Sequence, residues 1–80
     1  MGVIFVQYDS RVMGKVIHSI RKKRKWTQEV ASGFAGIARS HFAQIERGKK
    51  AEVETLWKIA EGFEMRLSDL FRLVEDEIEK

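Results

Sequence analysis

The side chains of this chain that could do chemistry are mainly basic, and they are concentrated in one half. Residues 11–50 hold eleven lysines and arginines against two acidic residues, a balance of +9. Residues 51–80 hold four basic and nine acidic residues, a balance of −5. The unbroken run from Arg21 to Lys25 is longer than a helix end requires. This asymmetry favours a basic face that binds a polyanion and an acidic end turned elsewhere, with an unevenly charged solvated surface as the alternative.

Other kinds of chemistry have little support in the sequence. His18 and His41 fall on different predicted helices and lack cysteine or a carboxylate–histidine pair at helical spacing, so we expect no metal site. The acidic run 75–77 fits a solvated helix end better than a metal or acid–base site. The sequence shows no nucleophile–base–orienter set and no glycine-rich phosphate loop, so we expect neither an enzyme nor a cofactor.

Length and composition indicate one small domain. Eighty residues with 44% hydrophobic content support only a modest core. The lack of cysteine excludes disulfides and fits a reducing cytoplasm. No apolar run approaches the roughly 20 residues that a membrane span needs, and the start lacks the basic region of a secretory signal. We expect a cytoplasmic protein without a membrane or small-molecule partner.

Hydrophobic periodicity predicts an all-α domain of five helices. Residues 1–9 are expected to be an arm or short strand, 10–74 the domain, and 75–80 the acidic end of helix five. Asp9 or Ser10 can cap helix one, and Ser68 is expected to cap helix five. The predicted helices are Arg11 to about Lys23, Gln28 to about Ala35, Ala38 to about Arg47, Val53 to about Phe63, and Asp69 to about Glu79.

The stretch from Thr27 to Glu46 predicts two short helices joined by a tight turn. Thr27 caps the first, and small residues at Ala31, Ser32 and Ala35 allow the helices to approach closely. Gly36 supplies the positive φ that so short a corner needs. This is the helix-turn-helix pattern, whose second helix is offered to the DNA major groove.

From Gly14 to Phe71 the chain resembles the Cro/phage-repressor-type helix-turn-helix proteins, the XRE family, in order and spacing. The matching segments are Ile20–Lys22, Trp26–Glu29, Gly36–Ser40, Gln44–Lys49, Glu54–Ala60 and Leu67–Phe71. Its length and acidic end are also similar to the controller proteins of restriction–modification systems. The resemblance implies a five-helix, lambda-repressor-like domain with a short N-terminal extended arm and with helix three in the major groove.

The resemblance assigns base reading to helix three, through Arg39, Ser40, His41, Ala43 and Gln44. Arginine can bind guanine O6 and N7, glutamine can bind adenine N6 and N7, and serine can bind either purine. We therefore expect Arg39 to read guanine and Gln44 to read an adjacent base. Contact with a phosphate is the alternative for Ser40.

The resemblance also implies phosphate contacts and one structural salt bridge. Gln28 matches a residue that clamps a phosphate at the start of helix two, where free N–H groups also point outward. The other residues suited to the flanking backbone are Lys25, Thr27, Arg47, Lys49 and Lys50. Arg21 and Glu46 match an ion pair that ties helix one to the end of helix three.

Three departures from the family pattern affect the expected structure. Ala38 stands where a serine or threonine usually caps helix three, which predicts a loosely started helix. Ala31 replaces a large aliphatic residue, and Phe34 is expected to fill the space. Glu64 replaces the usual glycine after helix four, so that corner is expected to be built differently.

The remaining large apolar residues are assigned to the core or to self-association. Trp26 and Trp57 fall at helix-packing positions, and we expect core packing rather than base stacking. The apolar face of helix five, together with the N-terminal segment, is the candidate dimer surface. Its residues are Leu70, Phe71, Val74 and Ile78, with completion of the core as the alternative.

The sequence therefore predicts a homodimeric transcriptional regulator that binds a palindromic operator in double-stranded DNA, of controller or repressor type. One alternative is the antitoxin of a toxin–antitoxin pair that represses its own operon. Another is a protein-interaction adaptor that keeps the same fold without sequence-specific DNA binding.

Overall fold

The computed structural model describes residues 7–80, and within that range the chain forms five α-helices and no strand. The all-α, five-helix prediction is confirmed, and each predicted helix end agrees to within two residues. Part of the predicted arm, residues 1–6, lies outside the described range, and Gln7 to Asp9 have no regular structure. The helices are α1 Ser10–Lys23, α2 Gln28–Ala35, α3 Arg39–Glu46, α4 Val53–Gly62 and α5 Leu67–Ile78.

The five helices enclose one core. α1 packs against α3 and α5, α2 packs against α3 and α4, and α4 packs against α5. Each helix contributes apolar side chains at helical spacing, so burial of one stripe per helix drives the packing. The largest fully buried side chains are Met13, Ile17, Phe42, Ile45, Ile59, Phe63, Leu70 and Val74.

Local signals set the corner between α2 and α3 as predicted. The Thr27 hydroxyl accepts a hydrogen bond from the Val30 N–H at 3.1 Å and caps α2. Gly36 has φ 73° and ends the helix in the left-handed conformation. The Ile37 N–H then donates to the Ser32 carbonyl at 3.1 Å. These bonds hold α3 at its angle to α2.

Gly14 allows α1 and α3 to touch through their backbones. A Cβ atom built on Gly14 would lie 2.5 Å from the Ile45 carbonyl oxygen and 2.6 Å from that of Glu46. Real Cβ atoms essentially never come this close to another heavy atom. The C-terminal turn of α3 therefore rests directly on the middle of α1, a contact that the sequence analysis missed.

The expectation that Phe34 fills the space beside Ala31 is wrong. Phe34 is 63% exposed and stacks on Trp26, with ring centroids 4.7 Å apart. The space is closed instead by a close approach of α4 to α2. At this crossing a Cβ on Gly62 would meet the Ala35 nitrogen at 2.9 Å. Trp26 itself is half-buried, as expected of a packing residue.

The expectation that Trp57 lies in the core is also wrong. The buried stripe of α4 is Leu56, Ile59 and Ala60, and it continues to Phe63 just after the helix. Trp57 lies about 100° around the helix from Leu56, and 55% of it is exposed. Trp57 therefore belongs to the surface.

The first turn of α5 is capped differently from the prediction. The N-cap residue is Arg66, not Ser68, so Ser68 lies inside the helix. The carboxylate of Asp69 accepts a hydrogen bond from the Arg66 N–H at 3.1 Å. This reach back from the third helical position satisfies one of the free N–H groups at the helix start.

Two of the four residues assigned to a dimer surface are core residues. Leu70 is 0% exposed and Val74 is 1% exposed, because α5 turns them toward α1 and α4. Phe71 and Ile78 are half-buried, and Tyr8 packs on Phe71 with ring centroids 5.8 Å apart. The alternative, completion of the core, holds for Leu70 and Val74.

The corner between α4 and α5 is built without glycine, as expected. Glu64 adopts the left-handed conformation with φ 57°, and the Met65 N–H donates to the Ala60 carbonyl at 3.0 Å.

Beside this corner the two helices leave an open apolar groove, here called the α4–α5 groove. Its lining residues are Trp57, Glu61, Met65, Arg66, Leu67, Ser68 and Phe71.

Candidate nucleic-acid interface

α3 presents one face to the core and the opposite face to solvent. Phe42 and Ile45 are buried and hold the helix in place. The five candidate base-reading residues lie away from this buried face and divide into two groups by exposure. Three are exposed, Arg39, Ser40 and Gln44, and two are half-buried, His41 and Ala43. The structure therefore brings an arginine, a serine and a glutamine to one accessible helix surface.

The N-termini of α2 and α3 open into a shared groove. Its lining residues are Arg21, Thr27, Gln28, Glu29 and Arg39. Ala38, in extended conformation before α3, provides no side-chain cap, as predicted. Several backbone N–H groups at this helix start therefore lack an intrahelical acceptor. Free N–H groups and the positive ends of two helix dipoles suit this groove to phosphate oxygens.

Glu46, the last residue of α3, is the centre of a buried polar cluster. Its side chain is 5% exposed, and its Oε2 lies 2.7 Å from Arg21 Nε. Arg21 Nη2 donates to Glu46 Oε1 at 3.1 Å, and Gln28 Nε2 donates to the same oxygen at 2.9 Å. The ion pair implied by the family resemblance is therefore present, and it joins α1, α2 and α3 at one point.

Two members of this cluster differ from the sequence analysis. Gln28 uses one of its two amide N–H groups on Glu46, so one remains for a phosphate. His18 was not expected there, but its Nδ1 lies 3.3 Å from Glu46 Oε1 and 3.2 Å from Arg21 Nη2. The spacing of His18 and Arg21 by three residues on one helix face is the signal that could have placed them together.

The pKa of the Glu46 carboxyl lies below its ordinary value of 4.5. Burial is the largest single influence and raises this pKa. The hydrogen bonds from Arg21, Gln28 and His18, with the charge of Arg21, together lower it by more. Since the folded-state pKa is below the unfolded one, the ionised Glu46 stabilises the fold fully above about pH 4.5.

This stabilisation should be lost as the pH falls below about 4.5 and through the folded-state pKa. We expect Glu46→Gln to be less stable than the wild type near neutral pH, and the difference to shrink in acid. Urea unfolding at several pH values between about 7 and 3 measures both curves. The pKa of Asp9 is also lowered, by its hydrogen bonds from Arg11. Asp9 is present in both proteins, so both should still lose some stability in acid, and Glu46→Gln should lose less than the wild type. A difference that stayed constant with pH would contradict the assignment.

The basic run at the end of α1 divides between structure and surface. Arg21 is buried in the Glu46 cluster. Arg24 donates to the Phe63 carbonyl, and its guanidinium carbon lies 5.1 Å from the centroid of the Trp26 ring. Lys22, Lys23 and Lys25 are exposed. The three lysines of this run are exposed toward solvent, whereas the two arginines bond to other parts of the domain.

The loop between α3 and α4 carries the other predicted phosphate ligands. Arg47, Lys49 and Lys50 are exposed around Gly48. The loop is fixed to α1, because the Ser10 hydroxyl donates to the Gly48 carbonyl at 2.8 Å. Lys49 also bonds to α3, with its Nζ 3.0 Å from Gln44 Oε1. The basic loop and the exposed face of α3 therefore form one continuous surface.

The described part of the chain lacks a metal-binding cluster and a membrane-spanning helix. Residues 7–80 contain no group of three or more histidine, cysteine, aspartate or glutamate side chains arranged to hold a metal ion. Among the helices described, none has the length and apolar character needed to cross a membrane.

Comparison with known proteins places this arrangement in a family. Residues 17–70 match the HTH_3 helix-turn-helix family. The competence pilus inhibition repressor of Acinetobacter baylyi is 25% identical over 65 residues, which is 80% of this chain and 59% of that protein.

Two solved structures of restriction–modification controller proteins have a similar fold. C.Esp1396I, in a nucleoprotein complex, has a TM-score of 0.84 at 25% identity over 92% of this chain and 97% of that one. C.AhdI from Aeromonas hydrophila has a TM-score of 0.74 at 22% identity, covering 78% of this chain and 96% of that one. The chain therefore belongs to the HTH_3 helix-turn-helix family.

Proposed function

We propose that this chain acts as a homodimer on a palindromic operator, as a transcriptional regulator of the controller or repressor type. The observation that carries the proposal is the exposed face of α3, where Arg39, Ser40 and Gln44 stand beside the basic α3–α4 loop. The side chains on the helix can contact base edges. The lysines and the helix N-termini can contact phosphates and fix the register on the duplex.

The small size of this surface supports a dimer. One eight-residue helix contacts only a few base pairs, whereas two copies related by a two-fold axis read half-sites about 34 Å apart. The likeness to C.Esp1396I, whose structure is a nucleoprotein complex, supports DNA as the partner.

The α4–α5 groove is the surface that we assign to the dimer contact. Trp57 is 55% exposed, and Met65, Leu67 and Phe71 are half-buried beside it. A groove with this apolar lining is costly to leave in water. Of the four residues first assigned to the dimer surface, only Phe71 lies in this groove.

The charges of the groove suit contact with a second copy. Glu61 and Arg66 both line it and are both exposed. In a two-fold interface the same patch meets itself, so the acidic residue of one copy can face the basic residue of the other. A single-sign rim would repel its own copy, and this rim carries both signs.

Selection of DNA from a random pool tests the proposed function directly. The wild type should enrich two inverted half-sites with centres about one helical turn apart. Enrichment of no sequence, with weak and uniform binding to all DNA, would instead favour the adaptor alternative. Stable co-purification with a small toxin would favour the antitoxin alternative.

Trp57→Glu should convert the dimer into a monomer without unfolding it, because the side chain lies outside the core. Light scattering after size exclusion measures the mass, and circular dichroism measures the helix content. Loss of the second half-site contact should weaken operator binding about 100-fold or more. Val53→Glu is the matched control, since Val53 is on the same helix, is 62% exposed and does not line the groove. A Trp57→Glu protein that remained dimeric would refute this interface.

A further inference from the structure

Gln44 and Lys49 are linked twice, once through the main chain and once through their side chains. The Lys49 N–H donates to the Gln44 carbonyl at 3.0 Å, and the Gly48 N–H donates to the Ile45 carbonyl at 3.0 Å. Gly48, with φ 107°, makes this return of the chain possible. The Lys49 ammonium then donates to Gln44 Oε1, also at 3.0 Å.

The chemistry of the two groups fixes the orientation of the Gln44 amide. An ammonium group has three N–H donors and no acceptor, so the amide oxygen must be the atom that faces it. The Nε2 atom with its two N–H donors then faces away from Lys49. The ammonium also polarises the amide, which strengthens these N–H groups as donors.

This orientation changes which base edge Gln44 can recognise. Adenine presents an acceptor and an amino donor in the major groove, and a free glutamine binds both with its N–H and its oxygen. Here an ammonium group lies 3.0 Å from that oxygen, and its charge repels the amino hydrogens of adenine. Guanine, with acceptors O6 and N7, and thymine, with acceptor O4, present edges that match a surface made only of donors.

Lys49 can keep this contact and still bind the DNA backbone. Its Nζ uses one of three N–H groups on Gln44, so two remain for a phosphate oxygen. Lys50 is equally exposed and also basic, and it has no such bond to α3 among the described side chains. The two neighbouring lysines therefore have separable roles.

We propose that Lys49 is a positioning residue that sets the base specificity of Gln44, directing it to guanine, or secondarily thymine, and away from adenine. The proposal rests on the proposed function, since it requires α3 to read the major groove. It differs from the sequence-based expectation for Gln44, in which the amide could pair with adenine. It also adds a second role to Lys49, beside the expected phosphate contact.

Parallel selections from one random DNA pool test the proposal with four proteins. The wild type gives the preferred site, and Gln44→Ala identifies the position that Gln44 reads, because preference is lost there. Lys49→Met keeps the length of the side chain and removes its charge. Lys50→Met is the matched control, with the same loss of charge one residue further along.

We expect guanine or thymine at the Gln44 position for the wild type and for Lys50→Met. For Lys49→Met, preference should move toward adenine by about tenfold, the size of one good base contact. Both lysine variants should bind all sequences more weakly and with a shallower salt dependence. If Lys49→Met kept the wild-type base preference at the Gln44 position, Lys49 would be a phosphate ligand only and the proposal would be overturned. Adenine in the wild-type site, or a Gln44→Ala selection identical to the wild type, would also overturn it. A wild type that enriched no sequence would overturn the proposed function as well.

Discussion

Arg39→Ala is expected to abolish most of the discrimination between operator and random DNA. A bidentate arginine contact to guanine contributes about 1–3 kcal/mol of base discrimination, and a dimer makes the contact twice. Operator affinity should therefore fall by at least about 30-fold. Binding to random DNA depends chiefly on phosphate contacts and should change far less. Titration of the two DNAs at one salt concentration measures both constants.

The controls for this experiment separate base reading from charge and from folding. Arg72→Ala removes an exposed arginine of α5, outside the proposed interface, and should leave both constants close to those of the wild type. Lys50→Ala should lower the affinities for operator and random DNA by similar factors. It should also reduce the slope of log K against log salt by about one per protomer. Retained operator preference in Arg39→Ala would remove Arg39 from the base-reading set.

Gly14→Ala is expected to be the most destabilising single-methyl change in the domain. The new Cβ would lie 2.5 Å and 2.6 Å from two carbonyl oxygens of α3, and no side chain can move aside because both neighbours are backbone. α3 must therefore shift away from α1, which would also stretch the Arg21–Glu46 contact. We expect a loss of about 2–4 kcal/mol in the free energy of unfolding. In a domain of this size, that lowers the melting temperature by about 10–25 °C.

Gly33→Ala is the matched control for this prediction. Gly33 lies within α2, and a Cβ built there has no atom within 4 Å. The same chemical change should therefore raise the stability, by up to about 1 kcal/mol, because alanine favours the helical backbone. Opposite signs for the two variants would locate the effect in the helix crossing. A Gly14→Ala protein as stable as the wild type would show that α1 and α3 can separate without cost.

The features that the sequence predicted well depend on neighbouring residues. The Thr27 cap and the left-handed Gly36 each act within four residues of themselves, so their signals are readable along the chain. The wrong predictions concern which face of α4 is buried and at which residue α5 begins. Residues 53–63, which are α4 and the residue that follows it, hold six apolar side chains. From this pattern alone, the buried stripe of the helix can be drawn either through Trp57 or through Ile59 and Ala60 without it. At α5, serine is the usual capping residue, which favoured Ser68, but the Asp69 carboxylate bonds back to the Arg66 N–H and the helix begins at Leu67.

Features that join distant parts of the chain were harder to predict. The resemblance paired Arg21 with Glu46, but the additional contacts of Gln28 and His18 require three helices to meet at one point. Gly14 has no local signal for its role, since a glycine within a helix is ordinarily only unfavourable. Leucine and valine are as common in an interface as in a core, so the residue types of Leu70 and Val74 do not distinguish the two. Only the packing of α5 against the other helices shows that these side chains are buried within the domain.

The anchoring of α3 at its C-terminal end has an evolutionary consequence. Gly14, the Glu46 cluster and the Ser10–Gly48 hydrogen bond all act on the last turn of the helix or just beyond it. Arg39 and Ser40 stand at the opposite end, exposed and preceded by a residue that forms no side-chain cap. Because both side chains are exposed, we expect most substitutions at these two positions to change the stability by about 0.5 kcal/mol or less. Under the proposed function, descendants of this scaffold would acquire new target sites by changing a few exposed residues, while the residues that fix the helix stay as they are.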